Sequence, residues 1–431
     1  MNQIKSIADN LSGIIFHAED KVSIFFHEFG LDKRVTFSYF CFISILLLTL
    51  PFSPILVVFF SFFILVLFSE RINTSHRRIL GMLLLVAYSI IISSRQRFIS
   101  QSDDMNYYYW FYTNISANIY NWDGMVYSDF LFYFFIKSLK ILFPVTFSPD
   151  FFLFLFSFLS SFIFFIWLEF FALVSFEHKY HSMILAISLF YFSYFMSTQA
   201  VRQMIAIPLV LIAFSSSNRL NVIFILIIST FIHSSSLVMY LLFYLSRFNI
   251  QRVFVLILVA FGVFKLLQPV LIGAIGSGTI PNESLFKMIY SYLTWELGED
   301  HRSFFFSMLR LPVFSLICFL VFWRSSFSIY RNMFFIFLLA YLITYEFPFV
   351  PLRMAMPTFF VLIGFMKIVS VYPIKNLYRI LIIVVSLNFL RIQLSGVVGD
   401  SSGFNLYHSF SVYSFKPFYY LNSILDFLIN E

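Results

Sequence analysis

Arg202 and His233 are the residues whose type and spacing most clearly allow chemistry. Two apolar stretches, residues 201–216 and 220–232, run between them with a polar turn in the middle. If the stretches fold back as a helical hairpin, Arg202 at the start of one and His233 just past the other meet at the same end. A guanidinium stays charged and grips phosphate oxygens in pairs. An Arg at the centre of a bilayer helix costs roughly 2.5–3.5 kcal/mol, and less near a helix end. Its position therefore calls for protein, water or an anion beside it. An imidazole there can donate to a phosphate or act as acid or base near neutral pH. The plainer readings are an interfacial anchor that snorkels to headgroups for Arg202 and a turn histidine without chemistry for His233.

The elements that must position this pair are membrane helices. Of 431 residues, 60% are hydrophobic, 65 are Phe and only 11% are charged, against about 25% charged in soluble domains. Apolar runs of near-spanning length recur at about 35–50, 55–69, 79–94, 150–172, 182–198, 201–216, 220–232, 235–247, 253–268, 304–323, 332–345, 353–370 and 377–392. They predict an all-α polytopic bundle of about 12–14 spans. The short alternating segments of a membrane β-barrel are absent. Pro51-Phe52-Ser53-Pro54 reads as the turn between the first two spans. Lys137 and Lys140 suggest that residues 129–143 form an interfacial helix. The expected organisation is an inward-facing segment 1–34, a bundle over 35–392 with outer loops at about 95–149 and 269–303, and a polar-aromatic tail over 393–431. The first 34 residues lack the apolar core and small-residue cleavage site of a signal peptide.

The net charge of +7 reflects basic loops on one side of the membrane rather than nucleic-acid binding. With the N-terminus inside, Lys33-Arg34, Arg71, Arg77-Arg78, Arg219, Arg247 and Arg331 fall on the inner side. The same topology gathers Asp103 and Asp104, Arg202, His233, Glu346 and Arg353 on the outer side, together with the acidic loop 269–303. Arg353 has the same two readings as Arg202, anchor or anion ligand. Asp103 and Asp104 are either a solvated turn or the source of a general base, and adjacent residues leave room for one base at most. The run Tyr107-Tyr108-Tyr109-Trp110 is an interfacial aromatic belt or a surface for stacking on sugar rings. No spacing matches a zinc site, a P-loop, a dinucleotide fingerprint or a nucleophile elbow. Gly273–Gly278 lacks the lysine and strand of a phosphate cradle. No metal or cofactor is expected.

Arg202-Gln203-Met204-Ile205-Ala206, followed by two apolar spans and Phe231-Ile232-His233-Ser234-Ser235, resembles the RQ-x-x-A…FH-x-S signature of EpsG-like, Wzy-type polysaccharide polymerases. Asp103-Asp104-Met105-Asn106-Tyr107 is similar to that family's early acidic-aromatic loop, Arg353 to its late arginine, and residues 413–420 to its aromatic end. The stretch after the late arginine departs from the family pattern: Met354–Phe360 reads MAMPTFF where a Tyr-Phe pair is usual.

The resemblance implies a bacterial inner-membrane enzyme, similar in architecture to the GT-C-like, lipid-sugar-using glycosyltransferases. Its active site would face the periplasm. It would join undecaprenyl-pyrophosphate-linked oligosaccharide repeat units in O-antigen or capsule synthesis, within the lipid bilayer and with a chain-length regulator as partner. The implied catalytic residues are Arg202, Arg353 and His233 at the leaving pyrophosphate and Asp103 or Asp104 as base. Tyr107, Gln203, Ser235 and Glu346 are the implied substrate-binding set. A flippase for the same lipid-linked sugar, an O-antigen ligase and a membrane acyltransferase are the rival readings. A flippase favours an internal repeat and charges deep in the spans. A ligase shares the donor and so separates poorly.

Overall fold

The computed structural model describes residues 33–93, 104–115, 130–143, 146–276, 328–344, 350–373 and 382–386. The regular elements among them are helical throughout. The protein is an all-α polytopic membrane bundle. Helices α1 (Lys33–Thr49), α2 (Pro54–Leu67) and α3 (Thr74–Ser93) come first. Ser53 caps α2 by accepting from the Leu56 amide, and Pro54 occupies its first turn. There the missing proline N–H costs nothing. This is the turn expected between the first two spans.

Helices α4 (Asp104–Asn114) and α5 (Phe130–Leu142) follow. The outer loop expected at about 95–149 thus contains a helix, α4, within its polar first part. Its buried face, with Met105, Tyr108, Phe111 and Tyr112, packs on Phe132 and Tyr133 of α5, and this tertiary burial holds an aromatic stretch helical. Lys137 is only 1% exposed, while Phe130, Phe134, Ile141 and Leu142 of the same helix are exposed, so α5 has one face in the protein and one apolar face outward. Lys140 does reach polar groups, donating to the carbonyls of Tyr112 and Thr113.

Helix α6 (Pro149–Trp167), capped by Ser148, runs on through a π turn at Leu168–Ala172 and a 3-10 turn at Leu173–Ser175. Then come α7 (His178–Phe190), α8 (Tyr194–Gln199), α9 (Val201–Ser215), α10 (Arg219–Ile232) and α11 (Ser236–Leu245). Next among the described residues are α12 (Ile250–Gly276), α13 (Ser328–Ile343), α14 (Val350–Ala355), a π turn at Met356–Val361 and α15 (Ile363–Ser370). Among the described residues, three helical stretches, Thr74–Ser93, Pro149–Ser175 and Ile250–Val270, are long and apolar enough to cross a membrane. The bent pair Arg353–Val361 and Ile363–Ser370 makes a fourth. The candidate span 304–323 and most of 377–392 lie outside the described residues.

The run at 182–198 was expected as one span but breaks between α7 and α8. The run at 353–370 breaks too, with a bend of 56°. The interruptions meet: the Ser193 amide donates to the Phe360 carbonyl at 2.8 Å. A break in an apolar helix frees backbone groups that lipid cannot satisfy, and each break here supplies a partner to the other. Beside them α15 crosses α7 closely. A Cβ on Gly364 would lie 2.5 Å from the Ile187 carbonyl oxygen and 2.8 Å from Tyr191 Cβ.

Candidate active site

The hairpin expected from the sequence is present. Helices α9 and α10 pack against each other, and Asn218 caps α10 through the Leu220 amide. At the far end of that hairpin, Arg202 opens α9 and His233 ends α10 in an extended conformation, in the turn before α11. Ser236 ties the turn together, donating to the carbonyls of Ser229 at 2.9 Å and His233 at 2.7 Å.

Arg202 Nε donates to the Tyr108 hydroxyl at 2.7 Å, and its guanidinium carbon lies 5.7 Å from the centre of that ring. Helix α4 therefore fixes the arginine through a buried phenol. The next residue, Gln203, reaches the other way. Its Nε2 donates to the backbone carbonyl of Arg353 at 2.8 Å, which ties the start of α9 to the short helix α14. Two sequence-adjacent residues thus connect the early aromatic helix to the late arginine.

His233 is 6% exposed, and both ring nitrogens lack a hydrogen-bond partner. Burial first, then the positive charges of Arg202 and Arg353, push its pKa down from 6.5 to about 3. The imidazole is therefore neutral at physiological pH, flanked by two cations, with one donor and one acceptor to offer. The Ser235 hydroxyl is likewise buried without a partner. Unsatisfied buried polar atoms are rare in folded proteins. Here the imidazole lies in the field of Arg202 and Arg353, an arrangement able to bind a hydrogen-bonding anion.

The structure thus unites Arg202, Gln203, His233 and Arg353, with Ser235 in the same turn. Asp104 is the first residue of α4, four positions before Tyr108. Asp103, Glu346, residues 277–303 of the expected loop and tail 413–420 lie outside the described residues; residues 269–276, expected as the start of that loop, are the last turns of α12. Tyr107 is 44% exposed, and its ring stacks with Trp110, itself 59% exposed, at 6.3 Å between centroids. Tyr108, the direct contact to Arg202, was visible only as one of four consecutive aromatics. Nothing in that run distinguishes the ring that turns inward.

The opposite end carries a second polar cluster that was missed. Glu169, within the first π turn, accepts from Arg77 Nε at 3.1 Å and from Arg78 Nε at 2.9 Å, with a further contact from Arg77 Nη2. Its signal was a single carboxylate in an apolar run, FFIWLEFFALV, which demands a cationic partner.

Fold and site together define a multi-pass helical membrane protein with a two-arginine, one-histidine site at one end of its bundle. The chain belongs to the EpsG family, whose model matches residues 79–415. At family level it is a Wzy-like polysaccharide polymerase, a glycosyltransferase-type membrane protein. No curated protein and no solved structure gives a significant match.

Proposed function

We propose that the protein polymerises undecaprenyl-pyrophosphate-linked oligosaccharide repeat units at the periplasmic face of the bacterial inner membrane. The observation that carries this reading is the convergence of Arg202 and Arg353 on a buried, unpartnered, neutral His233 in a chain of the EpsG family. In the transfer, a hydroxyl at the non-reducing end of a new unit attacks the anomeric carbon of the growing chain. The bond from that carbon to pyrophosphate breaks, and lipid pyrophosphate leaves as an anion. Arg202 and Arg353 take up the developing charge, and His233 and Ser235 contribute neutral hydrogen bonds. The hydroxyl proton goes to a carboxylate, Asp103 or Asp104, with Glu346, Glu299 and Asp300 as the reserves. The exposed pair Tyr107 and Trp110 supports stacking of a sugar beside the arginines. A chain-length regulator and the surrounding lipid bilayer complete the set of partners.

Deleting the gene and resolving the cell's surface glycan on a gel tests the proposal. The expected product is a single repeat unit without a ladder. Loss of every repeat, with lipid-linked units trapped inside, would indicate a flippase. Long lipid-linked polymer that never reaches its acceptor would indicate a ligase. An unchanged ladder would discard all three.

A further inference from the structure

The end of the bundle away from His233 holds a polar cleft of about 510 Å³. Helix α11 starts beside His233 and ends ten residues later, so the cleft sits ~15 Å along the helix axis from that site. Its walls are the turn 246–249, the start of α12 and the start of α13.

Arg247 and Arg331 line it, and among the described residues neither makes an ion pair. Arg247 is held in place: Nη2 donates to the Phe214 carbonyl, and the guanidinium lies 4.4 Å from the centre of the Phe214 ring. Asn332, 8% exposed, also lines the cleft. Its Nδ2 donates to the carbonyls of Ser246 at 3.1 Å and Phe248 at 3.3 Å, while its Oδ1 has no partner. A buried amide oxygen without a donor is costly. The N-terminus of α12 adds its dipole to the same positive field. The matching ligand is an anion that also carries a hydroxyl.

The neighbouring surface specifies what else that ligand has. The stretch Ile250–Val270 is of spanning length, yet only 11% of it is buried. Phe254, Val255 and Leu258 are exposed one to two turns beyond the cleft. A cleft at the head of a bare apolar helix sits at headgroup depth, with acyl-chain depth below it.

We infer that this cleft binds one anionic phospholipid with a hydroxylated headgroup. The phosphate lies against Arg247 and Arg331, the headgroup hydroxyl donates to Asn332 Oδ1, and the acyl chains run along α12. The inference is independent of the reading of the Arg202 site.

Native mass spectrometry of the full chain in detergent tests it, with phosphatidylglycerol, phosphatidylcholine and free glycerol phosphate as probes. Phosphatidylglycerol should be retained over phosphatidylcholine, and Arg331→Gln should weaken that retention roughly tenfold. Equal retention of the two lipids by the unaltered protein would overturn the inference without recourse to any variant. Unchanged retention by a folded Arg331→Gln protein would also overturn it. Glycerol phosphate binding as tightly as the lipid would make this a soluble-anion site and refute the lipid assignment.

Discussion

Arg77 and Arg202 each stand in the first turn of a helix in an apolar bundle, and they are held differently. Arg77 is buried against Glu169, which Arg78 also reaches, so charge meets charge inside the protein. Arg202 is only partly buried and donates to the neutral hydroxyl of Tyr108. Beside it lies His233, whose ring nitrogens have no partner at all. The first end is closed by its own side chains. The second brings two arginines beside a histidine whose hydrogen-bonding capacity is unused, which suits a polar ligand. The contrast supports the proposal that one end serves stability and the other serves substrate.

The largest effect should come from breaking the closed end. Glu169→Ala leaves two arginines facing a buried void, and loss of one partner of a buried pair costs about 3–5 kcal/mol. Protein yield and thermal stability in detergent should fall sharply. An Arg77→Met, Glu169→Leu double variant should recover much of that loss and keep polymer synthesis. If Glu169→Ala left stability intact but stopped polymerisation, the contrast between the ends would be wrong.

Gly364 comes next. Ala in its place collides with the Ile187 carbonyl and must push α15 off α7. Overpacking of this kind costs about 1–3 kcal/mol, readable as a lowered melting temperature. Since the adjoining bent segment carries Arg353, activity should drop with it.

His233 supplies the pH dependence. Its folded-state value near 3 lies below its ordinary 6.5, so the folded protein holds it neutral. As pH falls below 6.5 the unfolded chain takes up a proton that the folded chain refuses, and stability declines from there down towards pH 3. Above pH 6.5 the group adds no slope. Thermal unfolding of His233→Gln should be flatter with pH across that window, and an identical profile would place the imidazole in contact with water.

The smallest effect on stability is expected from Tyr108→Phe, which removes a single acceptor from Arg202 and should act on activity instead. Hydrogen bonds to charged groups contribute about 1.5–3 kcal/mol. Polymer synthesis should slow about tenfold or more while the fold persists. No change would mean that the phenol does not orient the guanidinium.

Much of this was legible in the sequence, because lipid makes simple demands. Apolar length marked the helices, and the hairpin of α9 and α10 followed from two runs and a turn. That hairpin alone was enough to pair Arg202 with His233. What escaped was tertiary. The break at residues 191–193 is supported by the carbonyl of Phe360, over 160 positions away, and no local pattern announces it. Lys137 is polar by type, yet its side chain is buried, which no local pattern announces. Choosing Tyr108 over Tyr107 requires knowing which face of α4 turns inward, and a run of aromatics carries no such period.

The most direct test uses purified protein supplied with a lipid-pyrophosphate-linked repeat unit, with oligomeric products resolved by length. The unaltered protein should build a ladder. Arg202→Ala should reduce the rate by at least about a hundredfold while remaining folded, and Arg202→Lys should not restore it, because an ammonium cannot supply the bidentate fork. Full activity from Arg202→Lys would contradict paired phosphate binding. A normal ladder from folded Arg202→Ala would contradict the assignment of this end of the bundle to the reaction.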